Sequence, residues 1–349
     1  MKKILVLFGG VSSEHDVSLV SAASVIDNIP ADKYEVVKMG ITKDGKWYLY
    51  TGDTALLPEE KWLNDKANLI PAVISPDRSH HGIITYDGKT EYIDAVFPVL
   101  HGRNGEDGTM QGLLQLSGIP FVGCDALSSA MCMDKAITNT MADYSGIAQA
   151  KWYSFTKREY DLDADGCLDG AVEKLGFPVF VKPANAGSSV GISKCRTRQE
   201  LIGACEKAFI HDPKLVLEES IEGLEVECAV MGNEEPVASV VGEIEPCNDF
   251  YDYDAKYVAD SILHIPARLS EEKAQEVRKE ACRAYSALGC SGLSRVDFFV
   301  RNSDGCVLLN ELNTLPGFTS ISMYPKLFAA AGISYGELLD RLIGLALSR

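Results

Sequence analysis

Apolar positions along this chain follow two rhythms, and the switches between them mark out its elements. KILVLFGG (3–10) is an apolar run closed by two glycines, the pattern of a buried strand entering a tight turn. VSSEHDVSLVSAASVIDNI (11–29) then spaces its apolar residues for one face of a helix. Strand, turn and helix in that order open a parallel α/β unit. YEVVKMGI (34–41) and DAVFPVLHG (94–102) read as further strands. EDGTMQGLLQLSGIP (106–120) reads as a short helix, capped by Asp107 and stopped by Gly118 and Pro120. The first third of the chain thus predicts an open α/β domain. In such sheets ligands sit beyond the carboxyl ends of the strands, where Gly9, Gly10 and His101 fall.

From about residue 123 the style changes. SSAMCMDK (128–135) precedes a helix, and FPVFVKP (177–183) is a strand running into the loop KPANAGSSVGI (182–192). Thr197 and Glu200 have the spacing of a capping box for the next helix. KLVLEES (214–220), VECAVMG (226–232) and VASVVGEIE (237–245) follow as strands of antiparallel character. SEEKAQEVRKEACRAYSALG (270–289) is an amphipathic helix with acidic residues in its first turn and a glycine past its end.

The stretch SRVDFFVRNSDGCVLLNELN (294–313) carries the sharpest expectation. Two strand-like runs flank Ser303-Asp304-Gly305, a favoured three-residue hairpin loop. A turn centred on residue 304 sets Asp297 opposite Glu311 and Arg295 opposite Asn313, all on one face. Two carboxylates and an amide together suit a hard divalent cation such as Mg²⁺, commonly completed by substrate phosphates. The arginine suits a developing oxyanion or phosphoryl group. The same residues would also make a surface ion pair, but strands this apolar are buried strands, and buried carboxylates need a cation.

Totals narrow the classes. A chain of 349 residues exceeds one ordinary core and implies two or three domains. A net charge of −17 and a pI near 4.8 argue against nucleic acid as a partner. A few lysines focused in one cleft can still receive an anionic substrate. The ten cysteines form no CxxC pair and no zinc-finger spacing, which with the absence of a signal core predicts a cytoplasmic protein with reduced thiols. No apolar run reaches 18 residues, so no membrane span is expected. GSSVG (187–191) could fold over phosphates, with Lys182 at its root neutralising them, although no GxxxxGK[ST] occurs. FGGVSS lacks the GxGxxG fingerprint, which speaks against a dinucleotide-binding oxidoreductase. FYDYDAKY (250–257) reads as a lid whose tyrosines close over a ligand, or as a plain surface loop.

Taken in order, GGVSSEHDVSL, VLHGRNGEDGTMQGLLQLSGIPFVG, MCMDK, FVKPANAGSSVGISK, FYDYDAKY, SRVDFF and LNELNTLPGFTSISMYP closely resemble the D-alanine–D-alanine ligases of the ATP-grasp superfamily, over essentially the whole chain. The resemblance implies a three-domain α/β ATP-grasp fold, here 1–122, 123–218 and 219–349, with ATP held between the last two. It implies ligation of two D-alanines through a D-alanyl phosphate for peptidoglycan, by a cytoplasmic homodimer. It implies Asp297, Glu311 and Asn313 as ligands of two Mg²⁺, with Mn²⁺ as a substitute and a monovalent cation as an accessory. Lys135, Lys182 and Ser189 match phosphate contacts, Glu218, Glu219 and Ile221 the adenine-side hinge, and Glu225 the ribose ligand. Lys256 matches the lid lysine on the transferred phosphate, and Arg295 with the Gly317 N–H the oxyanion stabiliser. Glu14 matches the holder of the first ammonium, with Ser188 and Tyr257 its partners. His101 matches the approach to the first carboxylate, and Ser322 with the Met323 backbone the second carboxylate site. GITKDGKWYLYTG (40–52) is also similar to the D-alanine–D-serine ligases of the vancomycin-resistance branch, whereas the tyrosine-rich lid and apolar Met323 favour D-alanine.

Overall fold

The computed structural model describes residues 1–187, 190–245 and 262–349. Its first sheet has seven strands: β1 (Lys2–Gly9), β2 (Tyr34–Ile41), β3 (Trp47–Tyr50), β4 (Leu69–Ile74), β5 (Gly82–Thr85), β6 (Thr90–Tyr92) and β7 (Ala95–Leu100). Their order is β6-β5-β4-β3-β2-β1-β7. Only β2, β1 and β7 run parallel. The others extend the sheet antiparallel. Helix α1 (His15–Asn28) follows β1, as its spacing predicts. Helix α2 (Thr109–Ser117) starts one residue past Gly108, and Asp107 accepts from the Thr109 and Asn104 amides. Gly118, in the left-handed region, ends it.

Helices α3 (Ala126–Met133) and α4 (Lys135–Tyr144) lead into a second, antiparallel sheet. It orders β10 (Ser193–Cys195), β9 (Val179–Pro183), β11 (Lys214–Glu219) and β8 (Trp152–Thr156). Helices α5 (Lys157–Leu162), α6 (Ala164–Leu175) and α7 (Arg198–Ala208) complete this part. The pattern Val179, Val181 inward with Phe180 and Lys182 on the other side is the two-residue period of a strand. Phe155, Leu168, Val181, Leu201 and Leu217 give this sheet a core of its own. Thr197 caps α7, but the expected reciprocal bond goes elsewhere: Glu200 accepts from the Arg196 amide. A complete capping box stands instead at Thr156 and Glu159.

The third sheet orders β14 (Ile262–His264), β13 (Val237–Glu245), β12 (Gly223–Gly232), β15 (Gly292–Arg301) and β16 (Val307–Asn313). Helix α8 (Glu271–Ala287), capped by Ser270, covers one face with Val277, Ala281 and Tyr285. Helices α9 (Met323–Ala330) and α10 (Tyr335–Leu347) cover part of the other. There Ala229, Met231, Ile244 and Leu293 join one apolar cluster with Ile4, Phe8, Leu19 and Val25 of the first sheet and α1. Five buried residues of α10 (Leu338, Leu339, Leu342, Ile343 and Ala346) complete it, each large side chain contributing roughly 1.5–3 kcal/mol by leaving water.

Candidate active site

The three sheets meet around one cavity of about 1160 Å³. The described residues matched through the resemblance all line it: Glu14, His101, Lys135, Lys182, Glu218, Glu219, Ile221, Glu225, Arg295, Asp297, Glu311, Asn313, Gly317, Ser322 and Met323; Gly9 and Gly10, also at strand ends, are not among its lining. Ser188, Ser189, Lys256 and Tyr257, with the FYDYDAKY stretch, lie outside the described residues.

The cavity floor is one face of the third sheet. Arg295 pairs with Asn313 and Asp297 with Glu311 across β15 and β16, the register expected from the hairpin. The turn itself is offset from that expectation. Phe298, Phe299 and Val300 pair with Leu309, Leu308 and Val307, one residue short of the predicted register. A bulge between Asp297 and Phe298 absorbs the difference, leaving Asn310 as the extra residue. Asn310 and Glu311 both line the cavity as a result.

On this face Arg295 grips Asp297 in a fork, Nε to Oδ1 at 2.8 Å and Nη2 to Oδ2 at 2.6 Å. Its Nε also lies 3.1 Å from Glu227 Oε2. Asn313 Nδ2 reaches Asp297 Oδ2 at 3.0 Å and Glu311 Oε1 at 3.5 Å, so the three expected metal ligands converge. Glu225, Glu227, Asp297 and Glu311 crowd around Arg295, and the carboxylates outnumber it. Burial, with repulsion from Asp297 and Glu311, pushes the Glu225 carboxyl up to about 7. A region this rich in buried negative charge fits a divalent cation.

The opposite wall comes from the second sheet. Lys182 Nζ lies 2.5 Å from Glu218 Oε2 and 3.5 Å from Asn310 Oδ1. Burial works against its ammonium, but Glu218, Glu311 and Glu225 outweigh it and raise the pKa. Glu218 also accepts from Asn139 Nδ2 at 3.2 Å. Lys135 Nζ donates to the Ala186 carbonyl at 2.8 Å, tying α4 to the phosphate-type loop. Burial lowers the Lys135 pKa, with Lys182 adding to the effect and Glu311 opposing it. Glu219 accepts from the Lys151 amide at 2.8 Å, and Ser220 and Ile221 form the crossover into β12.

The third wall belongs to the loops after β1 and β7. Glu14 is buried just ahead of α1. A Cβ on Gly187 would lie 3.3 Å from Glu14 Oε2, so the carboxylate stands against the loop that continues into Ser188. His15 fixes this turn: Nδ1 meets the Gly10 carbonyl at 2.8 Å and Nε2 meets Glu60 Oε1 at 3.1 Å. His15, Asp16 and Glu60 also form a metal-like cluster, but Lys43 sits on it, 2.9 Å from Asp16 and 3.0 Å from Glu60. His101 bonds Leu315 carbonyl through Nδ1 and Ser21 Oγ through Nε2, both at 3.2 Å. Ser322 Oγ accepts from the Thr319 amide at 3.0 Å, and a Cβ on Gly317 would lie only 2.6 Å from it. Gly102 has φ +68°, and a Cβ there would lie 2.4 Å from Glu14 Oε2. With Glu14 read, from the resemblance, as the holder of the first ammonium, Gly102→Ala is expected to displace Glu14 and raise the apparent KM of that first amino acid at least about tenfold, with ~1 kcal/mol of backbone strain. Titration of that amino acid, read beside a thermal melt, checks this.

Four participants went unread in the sequence. Glu227 carries a clear signal, since it stands two residues from Glu225 on the same face of β12. Asn139 lies in a helix without a distinguishing pattern. Glu243 and Arg268 form a forked pair at the cavity wall, Nε to Oε1 at 3.0 Å, and connect elements 25 residues apart.

Residues 3–124 match the family model "D-ala D-ala ligase N-terminus", and residues 141–344 match "D-ala D-ala ligase C-terminus". The chain belongs to the D-alanine–D-alanine ligase family. A D-alanine–D-alanine ligase from Acetivibrio thermocellus is 50% identical over 362 residues, covering 100% of this chain and 96% of the relative. One from Caldicellulosiruptor bescii is also 50% identical, covering 99% and 95%. Among solved structures, the VanG D-Ala:D-Ser ligase from Enterococcus faecalis superposes with TM-score 0.92 at 45% identity, covering 99% of each chain. The D-alanine–D-alanine ligase from Coxiella burnetii superposes with TM-score 0.87 at 35% identity, covering 100% and 96%.

Proposed function

We propose that this chain joins two D-alanines into D-alanyl-D-alanine for peptidoglycan, converting ATP to ADP and phosphate. The observation that carries the reading is the cavity itself. One wall offers two lysines, the floor offers a carboxylate cluster with a forked arginine, and the third wall offers a buried Glu14. A carboxylate and a triphosphate repel each other, and their reaction needs cations on both sides and little water.

Lys135 and Lys182 hold the phosphates, with Glu218, Glu219 and Ile221 on the base and Glu225 on the ribose. Asp297, Glu311 and Asn313 would hold divalent metal, Asn313 through its amide oxygen. We take this to be two Mg²⁺, replaceable by Mn²⁺, with a monovalent cation as an accessory. Bound metal supplies charge neutralisation and alignment for the phosphoryl group. Glu14 holds the first ammonium, with Ser188 and Tyr257 beside it, and His101 flanks the carboxylate through the Leu315 segment. A carboxylate oxygen of the first D-alanine attacks the γ-phosphorus as its bond to ADP breaks. The second amine gives up one proton to solvent before it attacks the acyl carbon, and a second as the amide forms. Arg295 and the Gly317 amide stabilise the tetrahedral oxyanion. Collapse breaks the bond to phosphate, which leaves with the electron pair. Ser322 and the Met323 amide hold the second carboxylate, and Lys256 and Ser189 attend the transferred phosphate. Residues 1–122, 123–218 and 219–349 serve as the three domains of a cytoplasmic homodimer. All nine described cysteines are free, consistent with that compartment. Among the described residues no helix is long and apolar enough to cross a membrane.

ADP release is measured with Mg-ATP and D-alanine alone, then with D-serine added, with products identified by mass. D-alanyl-D-alanine as the main product in both is the expected result. Dominant D-alanyl-D-serine at equal concentrations would move the chain to the D-serine branch. No ADP release from folded protein would overturn the ligase reading. ADP release without a dipeptide would point to a nucleotide-handling protein instead.

A further inference from the structure

Gly242 lies mid-strand in β13 and pairs with Glu227. Its Cβ position is already taken. A Cβ there would lie 2.4 Å from Met323 Cε, 2.8 Å from Leu327 Cδ2 and 3.7 Å from Ile265 Cγ1. The two close atoms are ends of flexible side chains, and Gly242 is a strand residue, so alanine fits the backbone. Met323 is 6% exposed, yet it lines the cavity, whereas Leu327 is fully buried. A methyl group on Gly242 therefore drives Met323 toward the cavity, because the Leu327 side is packed.

We propose that Gly242 is a specificity-determining residue of the second amino-acid subsite: lacking a side chain, it seats the Met323 methyl on the sheet and so sets how large a side chain the entering amino acid can carry. The inference rests on the reading of Ser322 and Met323 as that subsite. It extends that reading to a residue that touches no substrate and acts through Met323. Gly242 pairs with Glu227 of β12, and β13 gains β14 as a second neighbour from Glu243 onward, so the strand is anchored by hydrogen bonds at and beside Gly242. A change of one methyl at Gly242 is thus passed on to Met323 rather than absorbed by the backbone. Leu327 lies one helical turn beyond Met323 on the same face of α9, which holds the displaced side chain from retreating along the helix.

The test is the partition of one acyl phosphate between two amines. Enzyme, Mg-ATP and D-alanine are mixed with D-2-aminobutyrate, and the ratio of D-alanyl-D-2-aminobutyrate, told from its sequence isomer by fragment masses, to D-alanyl-D-alanine is read. Both products share the first step, so changes there cancel. Gly242→Ala is expected to lower the ratio about tenfold, the discrimination one carbon commands in an apolar pocket. Met323→Ala should raise it, and the double variant should match Met323→Ala. A Gly242→Ala ratio equal to wild type, while Met323→Ala moves it, would overturn the role of Gly242 and leave the subsite standing. Ratios unchanged in both would overturn the subsite reading and the proposal with it. Should Gly242→Ala not fold, the double variant still decides. A ratio well below that of Met323→Ala would show Gly242 acting by another route and refute the seat.

Discussion

Glu311→Gln is expected to lower kcat about 10³-fold or more while leaving the fold intact. The side chains are nearly isosteric, so the change removes charge and little else. Glu311 faces Asp297 across the hairpin and meets Asn313 at 3.5 Å, so in the proposed metal site it supplies one of the anionic arms. It also supports the charged forms of Lys135 and Lys182. Several kcal/mol of transition-state charge stabilisation depend on a divalent cation held in this way, which corresponds to about three decades in rate. Steady-state turnover at saturating Mg²⁺ with a thermal melt decides the matter. Near-normal kcat in the variant would remove Glu311 from the metal site.

Arg295→Leu is expected to be costly twice over. The guanidinium is the cation seen directly on Asp297 and Glu227, both almost fully buried. Removing it leaves buried carboxylates without that partner, a loss of about 3–5 kcal/mol when one half of a buried pair is deleted. Under the proposed role of Arg295 as an oxyanion donor, its loss removes a further factor of about 10²–10³ in kcat. Arg295→Lys separates the two effects. It keeps the charge and should recover much of the stability, but it lacks the planar fork and should recover little kcat. Urea midpoints beside kcat per folded enzyme make the comparison. If Arg295→Leu loses stability yet keeps its turnover, the residue is a structural counterion only.

Much of the scaffold was legible because its longer strands carry buried apolar runs. β1, β2, β7 and β13 each announce themselves in this way, and α8 by its acidic first turn and the glycine past its end. Strands β3 to β6 were not legible. They are three to six residues long and partly exposed, so their pattern carries little signal. The hairpin of the floor was read correctly at Arg295, Asp297, Glu311 and Asn313 while its tip was misregistered by one residue. Pairing rules contain no term for a bulge, and this one restores the register where the chemistry lies. Thr197 and Glu200 show a smaller limit: spacing foretold the cap but not which amide the carboxylate would choose. Glu227 was overlooked although its period-two position beside Glu225 was visible, because no partner such as Arg295 could be seen before β12 and β15 were paired.

The apolar cluster that unites β1, α1, β12, α9 and α10 has a mechanical consequence. The walls that carry Glu14, Arg295 and Met323 share one interior and must move as one body. The wall that carries Lys182 has a separate apolar interior, and among the described residues Ala136, Ala184 and Val216 form a small apolar cluster of their own between it and α4. The expected moving part is therefore the sheet of β8 to β11 with helices α5 to α7, closing on the body that carries β1 and β12. Nucleotide should slow amide exchange across that moving part and leave the exchange of β1 and β12 almost untouched.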